Sequence, residues 1–390
     1  MNTRRAFDIV VFGATGFTGR LITRYLASHP QFNQGLFSFA IAARSQSKLH
    51  ALVQEFKIPS SIDTIQVDVT DYRSVEVAVR SARVVINTVG PYWRWGTPVV
   101  KACANNGVHY VDLTGESVWI KDIINQFDYL ATKTGAIIVP SCGYDSVPSD
   151  ISAYLSNKTL KAYGDYDVAT SVSGQKVQGG VSGGTLNTIF TILGDIPRDK
   201  LRESAKDYSL SPVMGGVSPM FKFLYKQLIP GDTPVFGSFF LMAPGNKKLV
   251  QRTFGLLELR TIMATQSGSS TEAAQLAKRE RYGPSSTSTP PVHVKTVFKG
   301  DRDPGYALTA IMIAESALSL LLPPISKPAP PSKASSLPEG LPDLAKKGGI
   351  LTPMTAFGDV LITRLVDTGR FAYETRVVGQ ESDGERRKDV

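Results

Sequence analysis

Short, mostly apolar runs alternate with amphipathic stretches through the first 145 residues, and this alternation leaves few architectures open. Ile9–Phe12, Phe37–Ala43, Thr64–Val67, Val84–Thr88, Tyr110–Leu113 and Ala136–Pro140 read as strands. Arg20–His29, Ser47–Phe56, Ser74–Ser81, Pro98–Asn106 and Val118–Thr134 read as the helices between them, with Ser45 or Ser47 capping the second and Gly107 stopping the fourth. A strand that is apolar throughout must be covered on both faces. Such strands, separated by helices at this spacing, predict a doubly wound parallel sheet.

The turn after the first strand is Gly13-Ala14-Thr15-Gly16-Phe17-Thr18-Gly19. Gly13 permits a tight turn, Gly16 lets backbone approach a phosphate, and Gly19 lets the helix pack on the strand. The helix N-terminus then offers free N–H groups and partial positive charge, and Thr15 and Thr18 add hydroxyls. GxxGxxG departs from GxGxxG and is the spacing of many extended NADP-binding domains. The second strand ends in Arg44-Ser45, with Lys48 one turn on, where an NAD site carries Asp or Glu for the ribose 2′-hydroxyl. A guanidinium there suits a 2′-phosphate. Asp68-Val69 follows the third strand, where a carboxylate commonly bonds adenine. Thr88-Val89-Gly90 follows the fourth, where backbone lies against the nicotinamide ribose. The expected fold is therefore a Rossmann-type sheet over residues 1–150, and the expected cofactor is NADP(H).

Candidates for the reacting end lie past the fourth, fifth and sixth strands. Tyr92, in the aromatic stretch Pro91–Gly96, is a proton donor or a packing residue. Gly115-Glu116 ends the fifth strand, and Glu116 faces the nicotinamide or serves as a helix N-terminal acid. The sixth strand runs into Ser141–Asp150, bringing Cys142, Tyr144 and Asp145 near the cleft. Tyr92 and Tyr144 are the candidate acids, with Asp145 orienting, and Trp93 and Trp95 are expected as dry walls. Cys142 reads as a packed small residue, Ser149 as a helix cap, and His109, at the amino end of its strand, as structural. His29, His50 and His293 have no partner recognisable in the sequence, and neither a metal-ligand cluster nor a Ser-His-Asp arrangement is expected.

Beyond residue 150 the pattern loosens. Ile151–Asn157 and Leu186–Leu193 read as helices, and Tyr166–Ser173 and Val292–Phe298 as strands. These predict a second α/β (α+β) domain over 151–375, serving substrate and dimerisation. Loops are expected near 283–291 and 323–342, and a frayed tail over 376–390. Residues 208–260 are rich in large apolar side chains and read as core, dimer interface or a peripheral lipid-facing segment. The 390 residues are enough for two domains, and the two cysteines allow no disulfide framework. A formal charge of +9 without a dense basic block favours small anions over nucleic acid. No leader pattern or spanning run stands out, since Glu315 interrupts the most apolar stretch, Ala307–Leu322. A cytoplasmic location is expected, peripheral to membrane or lipid droplet at most.

GATGFTG, AARS, NTVGPY, YVDLTGE and CGYDSVPSD, in that order, resemble the saccharopine dehydrogenase-like oxidoreductases. The likeness is nearer to the branch of trans-acting enoyl reductases and lipid-droplet relatives. Gly180–Thr185, Asp303–Tyr306, Thr309-Ala310 with Glu315–Ala317, and Gly348–Pro353 extend it to about residue 370. The resemblance implies an NADP-dependent oxidoreductase whose second domain covers the cleft. It implies reduction of a C=C or C=N bond in a hydrophobic, polyketide or lipid-like substrate, on an acyl carrier in some relatives. The alternatives are a saccharopine-type amino-acid dehydrogenase, which needs cations in its cleft, and a lipid-associated protein that binds the cofactor without redox chemistry.

Overall fold

The computed structural model describes residues 5–177, 183–216, 223–228, 233–267, 292–328 and 337–378. Six strands alternate with helices through its first part: β1 (Phe7–Phe12), α1 (Phe17–Ala27), β2 (Phe39–Ala43), α2 (Gln46–Phe56), β3 (Asp63–Gln66), α3 (Tyr72–Arg80), β4 (Ala82–Asn87), α4 (Thr97–Asn106), β5 (His109–Asp112), α5 (Ser117–Thr134) and β6 (Ile137–Val139). Each of the six strands expected in this first part is present, within a few residues of its expected ends. Ser45 caps α2 by accepting from the Lys48 N–H, and Gly107 ends α4 in a left-handed conformation.

All pairings in the main sheet are parallel, in the order β3-β2-β1-β4-β5-β6, and the order reverses between β1 and β4. Side chains alternate across it. Ile9, Val11, Ile41, Val84, Ile86 and Val111 face α1 and α2, while Val10, Phe12, Ala40, Ala42, Val85 and Tyr110 face α3, α4 and α5. Both sets are buried, which is why these strands carry no apolar–polar alternation.

The second part contains α6 (Val147–Tyr163), α7 (Gly183–Gly194), α8 (Arg198–Ala205), β7 (Leu224–Gln227), β8 (Val235–Ser238), α9 (Ala243–Ser267), β9 (His293–Gly300), α10 (Thr309–Ser319), β10 (Gly349–Ile350), α11 (Asp359–Asp367) and β11 (Phe371–Val378). The chain then returns to the first sheet. β10 pairs parallel with β6 as a seventh strand, and α10 packs against α1 and over β4 and β5. β9 pairs antiparallel with β11, and Thr296 and Thr375 of this pair bond Ser156 and Thr159 of α6.

Several expectations are corrected. Tyr166–Ser173 forms no strand. Arg376–Val378 belong to β11 rather than to a tail, because their backbone pairs with His293–Lys295; 379–390 lie outside the described residues. Of the loop expected over 323–342, the described flanks are packed: the Pro323 carbonyl accepts from Arg364, and Leu341 is buried. Residues 329–336, 283–291 and Gly180–Ser182 lie outside the described residues.

Candidate active site

The carboxyl ends of the parallel strands form one edge, and the loops along it follow the strand order. Asp68 stands after β3, Arg44 after β2, Gly13 after β1, Thr88 after β4, Gly115 after β5 and Ser141 after β6. The reversal between β1 and β4 opens a crevice where such sheets bind ligands.

At its centre Gly13 has φ +78°, and a Cβ there would stand 2.6 Å from Thr88 Oγ1. A Cβ on Gly19 would stand 2.2 Å from the Gly13 carbonyl oxygen. Gly16 is the N-cap of α1, and no side chain caps the helix, so first-turn N–H groups face the crevice unfilled. Thr15 and Thr18 flank the turn half-buried. Phe17 is 60% exposed, its ring edge-on to Tyr306 at 5.1 Å. This is a cradle that a Cβ would fill, aimed at a diphosphate.

Toward the β3 end, Arg44 is exposed. Ser45 beside it is occupied in capping α2. Asp68 accepts from the Thr70 N–H and hydroxyl, and these bonds, helped by Arg44, hold its carboxyl below the usual range. Val69 is half-buried next to it. Thr88 donates its hydroxyl to the Phe12 carbonyl, Val89 is half-buried, and Gly90 is exposed. The donor set along this edge fits a dinucleotide carrying a 2′-phosphate: helix amides for the diphosphate, a guanidinium beyond β2, and a carboxylate beyond β3.

The other end of the edge holds a cleft lined by Gly115, Ser117, Ile120, Ser141, Asp145, Ser146, Leu210, Met242, Gly245 and Leu249. Three helices start there, α5 at Ser117, α6 beyond Ser146 and α9 at Ala243, and no side chain caps α5 or α6. Asp145 turns into this cleft. Its carboxylate has no hydrogen-bond or ion-pair partner among the described residues, and burial raises its pKa. Tyr144 is half-buried; its hydroxyl donates to Gln175 Oε1 at 2.7 Å, and its pKa is pushed up to about 12 by burial and then by Asp145. Gln175 donates in turn to Ser149, which lies within the first turn of α6 rather than capping it.

Tyr92 and Glu116 are placed differently from these. The Tyr92 ring is buried against Trp119, its hydroxyl donates to the Asn87 carbonyl at 2.9 Å, and the Leu113 N–H points at the same oxygen at 3.4 Å. Burial first, then Asp112, raises its pKa well above the ordinary value. Glu116 accepts the Tyr92 and Trp93 N–H groups, both at 2.8 Å. It is a helix N-terminal acid, but for the short helix Tyr92–Trp95 rather than its own. Trp93 and Trp95 do not line the cleft; Lys200 stands over the Trp93 ring.

Residues 9–164 match the family model described as the saccharopine dehydrogenase NADP binding domain. This part of the chain is similar to the NADP-binding domain of saccharopine dehydrogenases. The cofactor is NADP(H), and the chain is an NADP-dependent oxidoreductase. A trans-acting enoyl reductase of Mycobacterium tuberculosis is 27% identical over 435 aligned positions, covering 96% of this chain and 99% of that one. A second protein of that organism, 29% identical over the same shares, bears the same name in provisional form. A lipid droplet localized protein of Caenorhabditis elegans is 36% identical over 220 positions, 54% of this chain and 50% of that one. Among solved structures, apo saccharopine dehydrogenase (L-Glu forming) of Saccharomyces cerevisiae aligns with a TM-score of 0.32 and 18% identity, over 40% of this chain and 31% of that one.

Several residues of the oxidoreductase's site carried no recognisable signal in the sequence. Leu210, Met242 and Leu249 reach the cleft from far along the chain. Ser141 adopts φ +64°, rare for a residue with a Cβ, while its hydroxyl donates to the Thr114 carbonyl at 2.7 Å. Asp112 is fully buried at the end of β5, and a carboxylate closing an otherwise apolar strand was the one available clue. Cys142 is buried and donates to the Val139 carbonyl, and His109 is half-buried and accepts the Ile137 N–H, so both are structural. His29 has a partner 286 positions away, Glu315.

Proposed function

We propose that this oxidoreductase reduces the C=C bond of a hydrophobic substrate activated by a carbonyl or thioester, delivered on an acyl carrier. The lining of the cleft carries the reading: four apolar side chains, three serines, two glycines and one carboxyl, with no Lys or Arg among the described lining residues. A substrate with several carboxylates would lose its hydration there without a cation to replace it. That disfavours a saccharopine-type amino-acid substrate.

Bound NADPH supplies the hydride. The Gly13–Gly19 turn, Arg44 and Asp68 hold the phosphate and adenine ends, and Gly90 and Gly115 flank the reacting end. The starts of α5, α6 and α9 direct partial positive charge into the cleft, which favours negative charge growing on a carbonyl oxygen. Ile120, Leu210, Met242 and Leu249 keep water from the walls. Asp145 is the proposed proton donor to the carbon next to the one reduced; it lines the cleft, and burial raises its pKa. Tyr144 stays neutral beside it, its hydroxyl held by Gln175.

Steady-state consumption of NADPH tests this against two substrate sets, enoyl thioesters of increasing chain length and amino-acid/2-oxo-acid pairs. The expected result is turnover of the thioesters alone. Asp145→Asn should lower kcat by about 10²-fold or more and leave NADPH affinity unchanged. Turnover of the amino-acid pairs alone would refute the reading.

A second observation favours a lipid surface as the source of the substrate. Both strands of the β7–β8 hairpin are exposed along their whole length, with Phe223 69%, Leu224 72% and Phe236 72% exposed. Exposed large apolar side chains mark an interaction surface, and here Lys226 stands over the Phe236 ring beside them. Met242 follows the hairpin closely and lines the cleft. Flotation with phospholipid vesicles tests this: Leu224→Ser with Phe236→Ser should abolish binding. A wild-type chain that dimerises through the hairpin and ignores vesicles would contradict it.

A further inference from the structure

Beneath the cleft lies a chain of buried polar groups that the redox chemistry does not use directly. Asp112 is 0% exposed. Its Oδ1 accepts two backbone N–H groups at 2.9 Å, from Thr114 in the loop after β5 and from Ser141 in the loop after β6. Its Oδ2 accepts the Tyr110 hydroxyl at 2.8 Å. That hydroxyl receives Asn87 Nδ2 at 3.1 Å, and Asn87 Oδ1 accepts the Val89 N–H at 3.0 Å, in the loop after β4. Three loops at the reacting end are thus tied to one carboxyl. A branch runs outward as well. Thr114 Oγ1 accepts the Glu116 N–H, and Glu116 grips the Tyr92 and Trp93 amides.

We propose that Asp112 is a positioning residue whose carboxylate locks the loops after β4, β5 and β6 into the one arrangement that forms the cleft. Ionised, it is an acceptor on every side, as all its neighbours require. Protonated, Oδ2 carries a hydrogen, the Tyr110 hydroxyl loses its acceptor, and the tie through Asn87 to Val89 must rearrange. The titratable groups facing it are Tyr92, Tyr110, Cys142 and Glu116. Burial pushes its own pKa up to about 7, against the pull of the Thr114, Ser141 and Tyr110 bonds. The rearrangement therefore falls at neutral pH. The proposal rests on the enoyl-reductase reading only for what enters the cleft.

The protein carries its own reporter of the loops. All three tryptophans, Trp93, Trp95 and Trp119, stand on or against the loop that Glu116 holds, with Trp119 packed on Tyr92 at 5.3 Å. Tryptophan emission of the intact chain, without ligand, is followed from about pH 5 to pH 9. The wild type should show one transition near pH 7, absent in Asp112→Asn and retained in Asp145→Asn. Should Asp112→Asn fail to fold, Tyr110→Phe gives the second reading. Without the hydroxyl that favours the ionised carboxyl, the midpoint should move up. A second arm follows kcat against pH with NADPH and an enoyl thioester. Asp112→Asn should flatten the limb near pH 7 while KM for NADPH stays within about threefold. A flat wild-type titration, a transition that survives Asp112→Asn but vanishes in Glu116→Gln, or a midpoint unmoved by Tyr110→Phe overturns the proposal. If no thioester is turned over, the enoyl-reductase reading fails and the emission arm still decides this one.

Discussion

Arg44 is the residue we propose separates one cofactor from another. Its guanidinium is exposed at the end of β2, and Ser45 beside it is committed to capping α2. Arg44→Ala should therefore weaken NADPH by about 10- to 100-fold, the worth of a charge-assisted hydrogen bond, and leave NADH nearly unchanged. Titration calorimetry with both nucleotides checks this. Gly19 is constrained differently, by the Gly13 carbonyl 2.2 Å from where its Cβ would stand. Gly19→Ala should push α1 off the strand and abolish binding of both nucleotides, read in the same titration. These residues were legible in the sequence because each acts through its immediate neighbours in the chain. Glu116 was half legible: a carboxylate at a helix start is a local signal, but the helix it serves begins 24 positions earlier. Asp112 was not legible, because its meaning lies in Ser141 and Tyr110 converging on it.

Between elements, the most consequential contact joins α1, α10 and α11. Glu315 accepts Arg364 Nε at 2.7 Å, lies 3.0 Å from His29 Nε2 and receives the Tyr25 hydroxyl at 2.5 Å, and the Glu315, His29 and Arg364 side chains are fully buried. Arg364 holds the carboxyl below its usual pKa despite burial. Arg364→Met should cost about 3–5 kcal/mol, because it strands a buried carboxylate. Glu315→Gln combined with Arg364→Met should recover part of that loss in chemical denaturation. The contact explains the one acid in the apolar stretch 307–322, which the sequence displayed without its partner. Strands β1 to β6 were legible because a doubly covered sheet writes itself as apolar runs. β10 was not, since two residues carry no periodicity, and Tyr166–Ser173 misled because alternation over a few residues also occurs in exposed coil.

For the whole molecule, the buried carboxyls set the response to pH. Asp112 and Asp150 are both raised to about 7, chiefly by burial. In the unfolded chain they titrate near 4, so the folded state binds more protons between about pH 4 and 7. Their contribution is full below that window and is lost as pH rises through 7. His109 works in the opposite sense: burial lowers it to about 4, so its contribution is lost as pH falls below about 6.5. Two carboxyls against one imidazole predict a melting temperature that declines from about pH 5 to pH 7 and levels off above it, and Asp150→Asn should flatten the decline. A melting temperature that rises across this interval would contradict the assignment.

The loops and the cleft lie along one edge of one sheet, and we propose phosphate recognition at β1 and β2 and the reacting end at β5 and β6. That division makes a definite statement about where hydride goes. The direct measurement is transfer from 4-deuterated NADPH, stereospecifically labelled in each of its two forms, to a trans-2-enoyl thioester, with the product examined by mass spectrometry and NMR. The account predicts one deuterium at the β-carbon of a saturated thioester, from one of the two labelled forms only, formed about 10²-fold more slowly in Asp145→Asn. A chain that binds NADPH tightly yet yields unlabelled, unreduced thioester would contradict it.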